Sequence, residues 1–375
     1  MKKYLNVKDK QCFFGYYDLQ PFNFDSSKHL ANVVDILDRI PNKDDKASLG
    51  YFDLNTDEYH ELATTNAWNF QQGCFLSWFN DESIIFNDFD NDRYISRVVD
   101  LNKNEIKRFD LPIASISLDK TKALSINFSR IYDFRAGYGY CNIPDKFIEE
   151  SPKDDGIWYL DLKTGEYKLL VSYEKMKQEF NEEPFTSKKL VVNHITFNPS
   201  GTKYVFLLRN FYVKPARWGT VLGIGDLDGN IYKLTNFEVN SHYSWKDDDH
   251  LMIYSGLPDW GIYFFDINNK QRSKLNNPLC DKDDIHCNYA PDRSYFIGDG
   301  YPDENCHRHV YRYDFNTNEA DELFDVYSLP AKPSDFRCDL HCRFNINGDL
   351  ISYDTTENKK REILILDTKQ LKKSK

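Results

Sequence analysis

The sequence predicts an all-β chain that folds as a single seven-bladed β-propeller of four-stranded antiparallel blades over residues 1–375. Three observations support this prediction: a strand-and-turn motif occurs seven times, its copies are about 40 to 65 residues apart, and helical patterning is scarce. This spacing is typical of blades of four antiparallel strands rather than of helical repeats. The 25 Tyr and 27 Phe side chains also suit a pleated, half-buried surface.

The repeated motif is a strand that ends in Asp, followed by a polar turn and a second strand. YFDLNTDEYHEL is one copy and WYLDLKTGEYKLL is another. Because Asn, Asp, Gly or Thr supplies each turn, we expect every copy to form a β-hairpin. The aspartates of the seven copies are Asp53, Asp100, Asp161, Asp226, Asp266, Asp314 and Asp367.

A second motif precedes several copies and joins two alternating strands through a turn that contains Pro, Asp or Gly. It reads FNPSGTKYVFLLR over Phe197–Arg209, YAPDRSYFIGD over Tyr289–Asp299 and FNINGDLISYD over Phe344–Asp354. We expect these strands to be the inner strands of their blades. The last strand of the chain should complete a sheet that begins near the N-terminus, a closure that removes exposed edges.

Two segments interrupt the repeat and are predicted to be insertions. Residues 128–152 are rich in Tyr, Gly and Arg, and we expect them over one mouth of the propeller. The insertion near residues 171–188 lies between blades and contains VSYEKMKQEFNEEPF, the best helix candidate of the chain. No change of composition marks a domain boundary, so we predict one domain.

Charge and hydropathy exclude several function classes. The formal net charge is −11, whereas a general nucleic-acid binder needs a basic face that displaces counterions from phosphate. No window approaches the roughly 18 consecutive apolar residues of a spanning helix, and the N-terminus lacks the apolar stretch of a signal peptide. We therefore expect a cytoplasmic protein without a membrane span, in which the eight cysteines are free thiols or metal ligands.

Four of the nine histidines occupy one position relative to the blades, at the start of an inner strand. In a propeller the innermost strands line the central channel, so we expect these side chains to converge on one mouth of it. The alternative for any one of them is a hydrogen bond within a turn. The four are His194, His242, His286 and His341.

A metal site is predicted from His286 and His341, which belong to neighbouring blades, and from Cys338, which precedes His341 by three residues in RCDLHC. Cys and His ligands favour Zn²⁺ over hard cations such as Ca²⁺. Cys306, in DENCHRH, is the leading candidate for a fourth ligand. We expect zinc, or another divalent metal such as manganese; the alternative is buried free cysteines and histidines that satisfy turns.

Arginine, tyrosine and glutamine side chains provide candidates for binding and converting an acidic sugar. A guanidinium group binds a uronate carboxylate bidentately, a perturbed phenol can act as a general acid or base, and an amide can bind a sugar hydroxyl. The alternative is solvated charges and side chains that tie loops together. The candidates are Gln71, Gln72, Arg130, Arg135, Tyr138, Tyr140, Arg209, Arg217, Tyr243 and Tyr301.

The chain resembles the propeller polysaccharide lyases, which include oligogalacturonate lyases and ulvan lyases. The segments GYYD, WNFQQGC, NHITFNPSG, SHYSW, DGYPD and RCDLHCRFNINGD carry the resemblance and are spread over almost the entire chain. It implies a carbohydrate-active enzyme that cleaves a uronic-acid-containing oligo- or polysaccharide by β-elimination. In this reaction a base removes the C5 proton, an Arg or a metal steadies the carboxylate, and the glycosidic oxygen leaves.

The resemblance also implies a metal site. In oligogalacturonate lyases the metal is held by a His similar to His286 and by a Gln-x-x-His-x-His pattern. This chain has Cys338 in place of the Gln, His341 at the first His, and Arg343 in place of the last His. The departure moves the expectation from manganese toward zinc, as in ulvan lyases.

Catalytic roles follow from the same resemblance. A His in a segment similar to SHYSW is the base of oligogalacturonate lyases, which carries over to His242. In ulvan lyases His and Tyr perform the chemistry, which favours His194, His242 and Tyr140 here. Arg217, together with Arg209, is expected to hold the uronate carboxylate.

A non-catalytic propeller that binds a glycan or a protein partner is the alternative function, because a fold does not determine an activity. An enzyme needs His194, His242 and a Tyr or Arg within reach of one bound sugar, whereas a scaffold needs only a stable surface. The sequence contains no GxSxG, P-loop, GxGxxG or HExxH motif. Serine hydrolases, nucleotide-binding enzymes and zincins therefore lack their usual signals.

Overall fold

The structure is a computed structural model that describes residues 2–211, 219–256, 258–281 and 284–371. The described strands form seven four-stranded antiparallel sheets, the blades of a seven-bladed β-propeller. The predicted fold class is therefore confirmed. Backbone contacts divide the chain into two compact units: the first contains Met1–Asn91, Arg97–Arg108 and Asn276–Lys375, and the second contains Asp92–Ser96 and Phe109–Leu275.

The strands follow one another through the sheets in chain order, starting from β1 (Lys2–Leu5). The next sheet consists of β2 (Gln11–Phe13), β3 (Lys28–Val34), β4 (Ala47–Asp53) and β5 (Tyr59–Thr65). It is followed by β6 (Ser77–Asn80), β7 (Ser83–Asp90), β8 (Arg93–Asp100) and β9 (Glu105–Phe109).

Three further sheets have the same order. The first consists of β10 (Ser115–Ile116), β11 (Lys122–Ser125), β12 (Gly156–Asp161) and β13 (Tyr167–Ser172). The second consists of β14 (Leu190–Phe197), β15 (Lys203–Asn210), β16 (Thr220–Asp226) and β17 (Ile231–Lys233). The third consists of β18 (Asn240–Trp245), β19 (His250–Ser255), β20 (Gly261–Asp266) and β21 (Gln271–Lys274).

The last two sheets belong to the first unit. One consists of β22 (His286–Tyr289), β23 (Tyr295–Asp299), β24 (His307–Asp314) and β25 (Glu319–Tyr327). The other consists of β26 (Arg343–Phe344), β27 (Leu350–Thr355) and β28 (Glu362–Asp367), with β1 as its fourth strand.

Helices are short and lie between strands. The predicted helix between two blades is confirmed as α2 (Tyr173–Glu179), whose first turn is capped by the Ser172 side chain. The segment between β11 and β12 contains α1 (Phe128–Phe134), capped by Asn127. A third helix, α3 (Pro278–Asp281), precedes β22. No helix within the described part of the chain has the length and apolar character needed to cross a membrane.

The seven repeated aspartates share one structural role, since each ends a strand: the third strand of its sheet in chain order in six copies, and β28 in the seventh. In every copy the Asp carboxylate accepts the backbone N–H two residues further on, at about 2.8 to 3.0 Å. This bond closes an Asx-turn, which reverses the chain toward the next strand. The repeated sequence pattern is therefore a repeated turn chemistry.

Six of the seven copies form the predicted hairpin, and the prediction is wrong at Asp367. There a 3₁₀ helix, Thr368–Gln370, follows the strand. The outer position beside β28 is taken by β1, with Lys2 opposite Leu366 and Leu5 opposite Ile363. The predicted completion of the last sheet by the N-terminal strand is confirmed.

Candidate functional site

The first side chain of the candidate site is His286, the first residue of β22. It lies directly opposite Asp299, the last residue of β23, and both side chains are fully buried. The two are joined between His286 Nδ1 and Asp299 Oδ2, 3.1 Å apart. Because a carboxylate only accepts, this bond places the proton on Nδ1 and leaves the lone pair of the neutral ring on Nε2.

The second side chain is His341, which lies in the segment before β26. Its Nδ1–H donates to the carbonyl oxygen of Gly15 at 2.9 Å, so its lone pair is also on Nε2. The ring is buried, and the backbone of His341 has a φ of 50°. A left-handed backbone is uncommon for a residue other than Gly and tends to occur where a side chain must be aimed.

The third side chain is Asp339, a buried carboxylate held between two arginines. Its Oδ1 lies 2.6 Å from Arg308 Nη2 and accepts from Arg337 Nε at 3.0 Å, while its Oδ2 lies 2.8 Å from Arg337 Nη2. Burial acts to raise the pKa of Asp339, but Arg337, Arg308 and the two imidazoles outweigh it and hold the pKa well below its ordinary value. Asp339 is therefore ionised at neutral pH.

Together, His286, Asp339 and His341 offer three ligand atoms that lie within 4.8 Å of one another. The imidazole centroids are 4.5 Å apart and the rings are nearly perpendicular, at 87°. His341 Nε2 and Asp339 Oδ2 are 4.0 Å apart, and His341 Nε2 is buried without a hydrogen bond to any of the described residues. Buried polar atoms in this state call for a ligand or an ordered partner, and two imidazoles with a carboxylate fit a divalent transition metal.

The titration of the two imidazoles differs. Burial, helped by His286 and Arg343, lowers the pKa of His341 well below its ordinary value, so this ring is neutral and able to ligate. Burial acts in the same direction on His286, but the Asp299 carboxylate outweighs it and raises the pKa of His286. A metal would therefore compete with a proton at His286.

Three tyrosines surround the two rings. Tyr16 and Tyr17 come from the GYYD segment, with the Tyr16 centroid 4.8 Å from His341 and the Tyr17 centroid 5.8 Å from His286. Tyr301, a predicted sugar-binding residue, lies 5.9 Å from His286 and packs under the guanidinium of Arg337. Aromatic rings of this kind provide faces on which a pyranose can stack.

The two predicted cysteine ligands lie outside this group in the part of the chain that the structure describes. Cys338 is buried, and its Sγ is 3.9 Å from the carbonyl oxygen of Asp339. Burial raises the pKa of the Cys338 thiol to about 12, so it is not a thiolate at neutral pH. Cys306 is half-buried, and its backbone N–H bonds to Asp303 in the loop before β24.

Arg343 stands where the resemblance places the last His of the metal pattern. Its Nη1 donates to the Gly15 carbonyl oxygen at 2.9 Å, the same atom that accepts from His341, and its Nη2 donates to Asp354 at 3.0 Å. A guanidinium group is a donor only and cannot ligate a metal. In this chain Arg343 holds the Gly15 carbonyl in place instead.

The predicted residues His194 and Tyr138 come together in the second unit. His194 lies in β14, with its ring edge against Tyr138 at a centroid distance of 5.4 Å. The guanidinium of Arg135 lies over the ring of Tyr138, 4.2 Å from its centroid. A His, a Tyr and an Arg thus form one cluster.

His242, in β18, is also buried, and its Nδ1 lies 3.3 Å from the Ser241 hydroxyl. The neighbouring Tyr243 shares a hydrogen bond with Thr196, 3.0 Å between the hydroxyl oxygens. Arg209 donates to the side-chain oxygen of Asn193 at 2.7 Å. The pattern His-x-x-aromatic thus lies within the first strands of three sheets, in HITF, HYSW and HCNY, and in HCRF it begins just before β26.

Other predicted residues have internal partners. Arg130 is fully buried and donates to Asp145 and to three backbone carbonyls, those of Leu190, Glu149 and Glu150. The ring of Tyr140 is buried and stacked on Phe128, 4.3 Å between centroids.

The amides of Gln71 and Gln72 are buried, and Gln71 donates to the Arg337 carbonyl oxygen at 3.0 Å. This bond ties the WNFQQGC segment to the residues that hold Asp339. Arg217 lies outside the described residues.

Comparison with known proteins supports the fold. No family model matches the chain, and no curated protein matches its sequence. An oligogalacturonate lyase in complex with manganese matches with a TM-score of 0.68 and 18% identity, over 99% of this chain and 94% of that one. An oligogalacturonate lyase from Vibrio parahaemolyticus gives 0.67 and 16%, over 98% and 93%. A prolyl endopeptidase gives 0.58 and 10%, over 98% of this chain but 48% of that one.

These identities show a shared propeller fold and leave the activity to be argued from the site. Sequence reasoning found His286 and His341 but missed Asp339, Asp299 and the arginines that neutralise Asp339. One signal was present: in RCDLHCR the charged and imidazole residues alternate with Cys and Leu. Leu340 and Cys342 enter the apolar core, which leaves Asp339 and His341 on the other side of the segment.

Proposed function

We propose that the chain is a divalent-metal-dependent carbohydrate lyase that cleaves a uronic-acid-containing oligo- or polysaccharide by β-elimination. The observation that carries the proposal is the group of His286, Asp339 and His341, in which both imidazoles are anchored through Nδ1. Histidines that ligate metals almost always donate their other ring N–H to a carboxylate or a backbone carbonyl. The likeness to two oligogalacturonate lyase structures supports the choice of reaction.

The donor set bears on the choice of metal. Two imidazole nitrogens and one carboxylate oxygen suit several divalent metals, and at equal concentrations such a set binds Zn²⁺ more tightly than Mn²⁺. We propose Mn²⁺ first because the similar oligogalacturonate lyase is in complex with manganese, with Zn²⁺ as its competitor. When bound, the ion would supply an electrophile that withdraws electron density from the substrate carboxylate.

The charge around the group favours an acidic substrate. Three buried carboxylates lie among four buried guanidinium groups, so with ionised carboxylates and neutral imidazoles these side chains sum to a charge of +1. A divalent ion adds two positive charges in a site where water is scarce, and an anionic ligand offsets them. The seven side chains are Asp299, Asp339, Asp354, Arg308, Arg337, Arg343 and Arg361.

Proton transfer is assigned to the histidines predicted from the sequence. We propose His242 as the base that accepts the C5 proton, with His194 and Tyr138 as the residues that contact the sugar or its leaving oxygen. A neutral imidazole is suited to this step because its pKa lies near the pH at which proton transfer is most efficient. Arg209 and Arg217 remain the proposed partners of the uronate carboxylate.

The deciding experiment is incubation with a panel of uronate glycans and measurement of ultraviolet absorbance from an unsaturated product. Protein stripped of metal and reloaded with Mn²⁺ or Zn²⁺ should regain activity with one of them, and elemental analysis should show about one equivalent. His286→Ala and His341→Ala should abolish the reaction. His250→Ala is the matched control, since His250 is an exposed residue paired with Asp247. Absence of product from every glycan, with metal loaded, would favour a non-catalytic propeller.

A further inference from the structure

The carboxylate of Asp299 connects the two segments that carry the imidazoles. It accepts from His286 Nδ1 at 3.1 Å through Oδ2, the same atom that accepts the backbone N–H of Leu340 at 3.1 Å. Its Oδ1 accepts the backbone N–H of Cys342 at 3.4 Å. The side chain is fully buried.

We propose that Asp299 is the positioning residue of the metal group, setting the ring of His286 directly and the backbone of His341 through its two neighbours. This inference rests on the proposed function, because it assigns a role within the same metal group. Asp299 contacts none of the reacting atoms and acts through the two histidines.

The direct effect is on the tautomer of His286. A neutral imidazole can carry its proton on either nitrogen, and a carboxylate beside Nδ1 selects the form whose Nε2 lone pair is available. Asp299 lies opposite His286 in the strand register, so the pairing of β22 with β23 brings the two side chains together. Without the carboxylate, the two tautomers and a rotated ring become comparable in energy.

The indirect effect is on His341. The N–H groups on both sides of this residue, at Leu340 and Cys342, bond to the same carboxylate. Two bonds that flank one residue restrict the backbone between them, and this backbone has the left-handed φ of 50°. The Asp299 carboxylate therefore fixes the ring of His286 and also the left-handed backbone that orients the ring of His341.

The test compares Asp299→Asn with Asp155→Asn in the binding of Mn²⁺ alone, measured by electron paramagnetic resonance of the free ion. Asp155 is a matched control because it is buried and its hydrogen-bond partners among the described residues are Asn127 and a backbone N–H rather than a His. Loss of an outer-shell partner of this kind costs about 10- to 100-fold in metal affinity. We expect that loss in Asp299→Asn and none in Asp155→Asn.

A second measurement does not depend on metal. Nitrogen chemical shifts of ¹⁵N-labelled histidine in metal-free protein at alkaline pH report the tautomer, and His286→Ala identifies the His286 signals. We expect a protonated Nδ1 in the wild type and a mixture of tautomers in Asp299→Asn.

An unchanged Mn²⁺ affinity and tautomer in Asp299→Asn would overturn the proposal. If this variant does not fold, the wild-type tautomer decides, and a proton on Nε2 of His286 counts against it. If the wild type binds no Mn²⁺ or Zn²⁺, the proposed metal dependence fails, and the tautomer still decides whether Asp299 sets the ring of His286.

Discussion

Replacing Asp339 by Asn and, separately, Cys338 by Ala distinguishes the two possible ligand sets of the metal site. Both sets include His286 and His341, but the sequence alone favours the Cys338 thiolate as the third ligand, whereas the structure places the Asp339 carboxylate beside the rings. We expect Asp339→Asn to lose metal binding and Cys338→Ala to keep it.

The magnitude follows from linkage. A metal present at 100 times its Kd stabilises the native protein by about 2.7 kcal/mol, and this increment should vanish in Asp339→Asn. The variant should also be less stable without metal, by about 3 to 5 kcal/mol, because the buried guanidinium groups of Arg308 and Arg337 lose their charged partner. Cys338→Ala should lose only the packing of a small buried thiol.

The assay is denaturant unfolding of each variant with and without MnCl₂, together with equilibrium dialysis of Mn²⁺. The quantity that matters is the metal-dependent increment within each variant, since it is independent of the stability that the substitution itself removes. If the stabilisation by metal survives in Asp339→Asn and disappears in Cys338→Ala, Asp339 is not the third ligand and the Cys338 thiolate is.

Four further predictions concern other parts of the chain. Arg130→Ala should destabilise the protein by about 3 to 5 kcal/mol in denaturant unfolding, because the buried Asp145 carboxylate keeps only Lys189 as a charged partner and three backbone carbonyls lose a donor. Burial opposes ionisation of Asp145, but Lys189 and Arg130 outweigh it and lower the pKa of this carboxyl. The stability that Asp145 contributes is therefore present above its ordinary pKa of about 3.9 and is lost as pH falls through the lowered value. The difference in free energy of unfolding between the wild type and Asp145→Asn should shrink at acidic pH. Gly15→Ala should weaken Mn²⁺ binding, measured by equilibrium dialysis. The φ of Gly15 is +136°, and a Cβ there would lie 3.0 Å from the carbonyl carbon of Gln72, so the backbone must shift and move the Gly15 carbonyl that anchors His341. His242→Ala should lower turnover on a proven substrate by about 10²- to 10⁴-fold with an unchanged circular dichroism spectrum, and full activity would remove His242 from the mechanism.

The fold could be predicted from the sequence because its main signal is local. Each repeated Asp bonds to a backbone N–H only two residues away, so the turn and its sequence signature coincide. The failure at Asp367 has the opposite cause. The strand that pairs with β28 on that side is β1, and nothing near Asp367 reports a partner at the other end of the chain.

The site was predictable only in part, for a similar reason. His286 and His341 follow from their position relative to the repeat, whereas the role of Asp299 depends on the register of β22 with β23 and on a segment about 40 residues further on. The prediction of Cys338 as a ligand rests on ligand chemistry alone, because the burial of a side chain is not visible in the sequence. The thiol is buried and protonated, and the carboxylate is kept ionised by arginines from two segments.

The pairing of β1 with β28 also sets the timing of folding. Lys2 pairs with Leu366, so the ribosome must add about 360 residues between the two strands, which takes roughly 20 to 70 s at 5 to 20 residues per second. Throughout this interval the N-terminal strand has no sheet to join, and its backbone donors and acceptors are open to other strands. Contacts this far apart in sequence also slow refolding, because the loop must close before the pairing stabilises it. Nascent chains of this protein should therefore depend on chaperones until the final strand emerges.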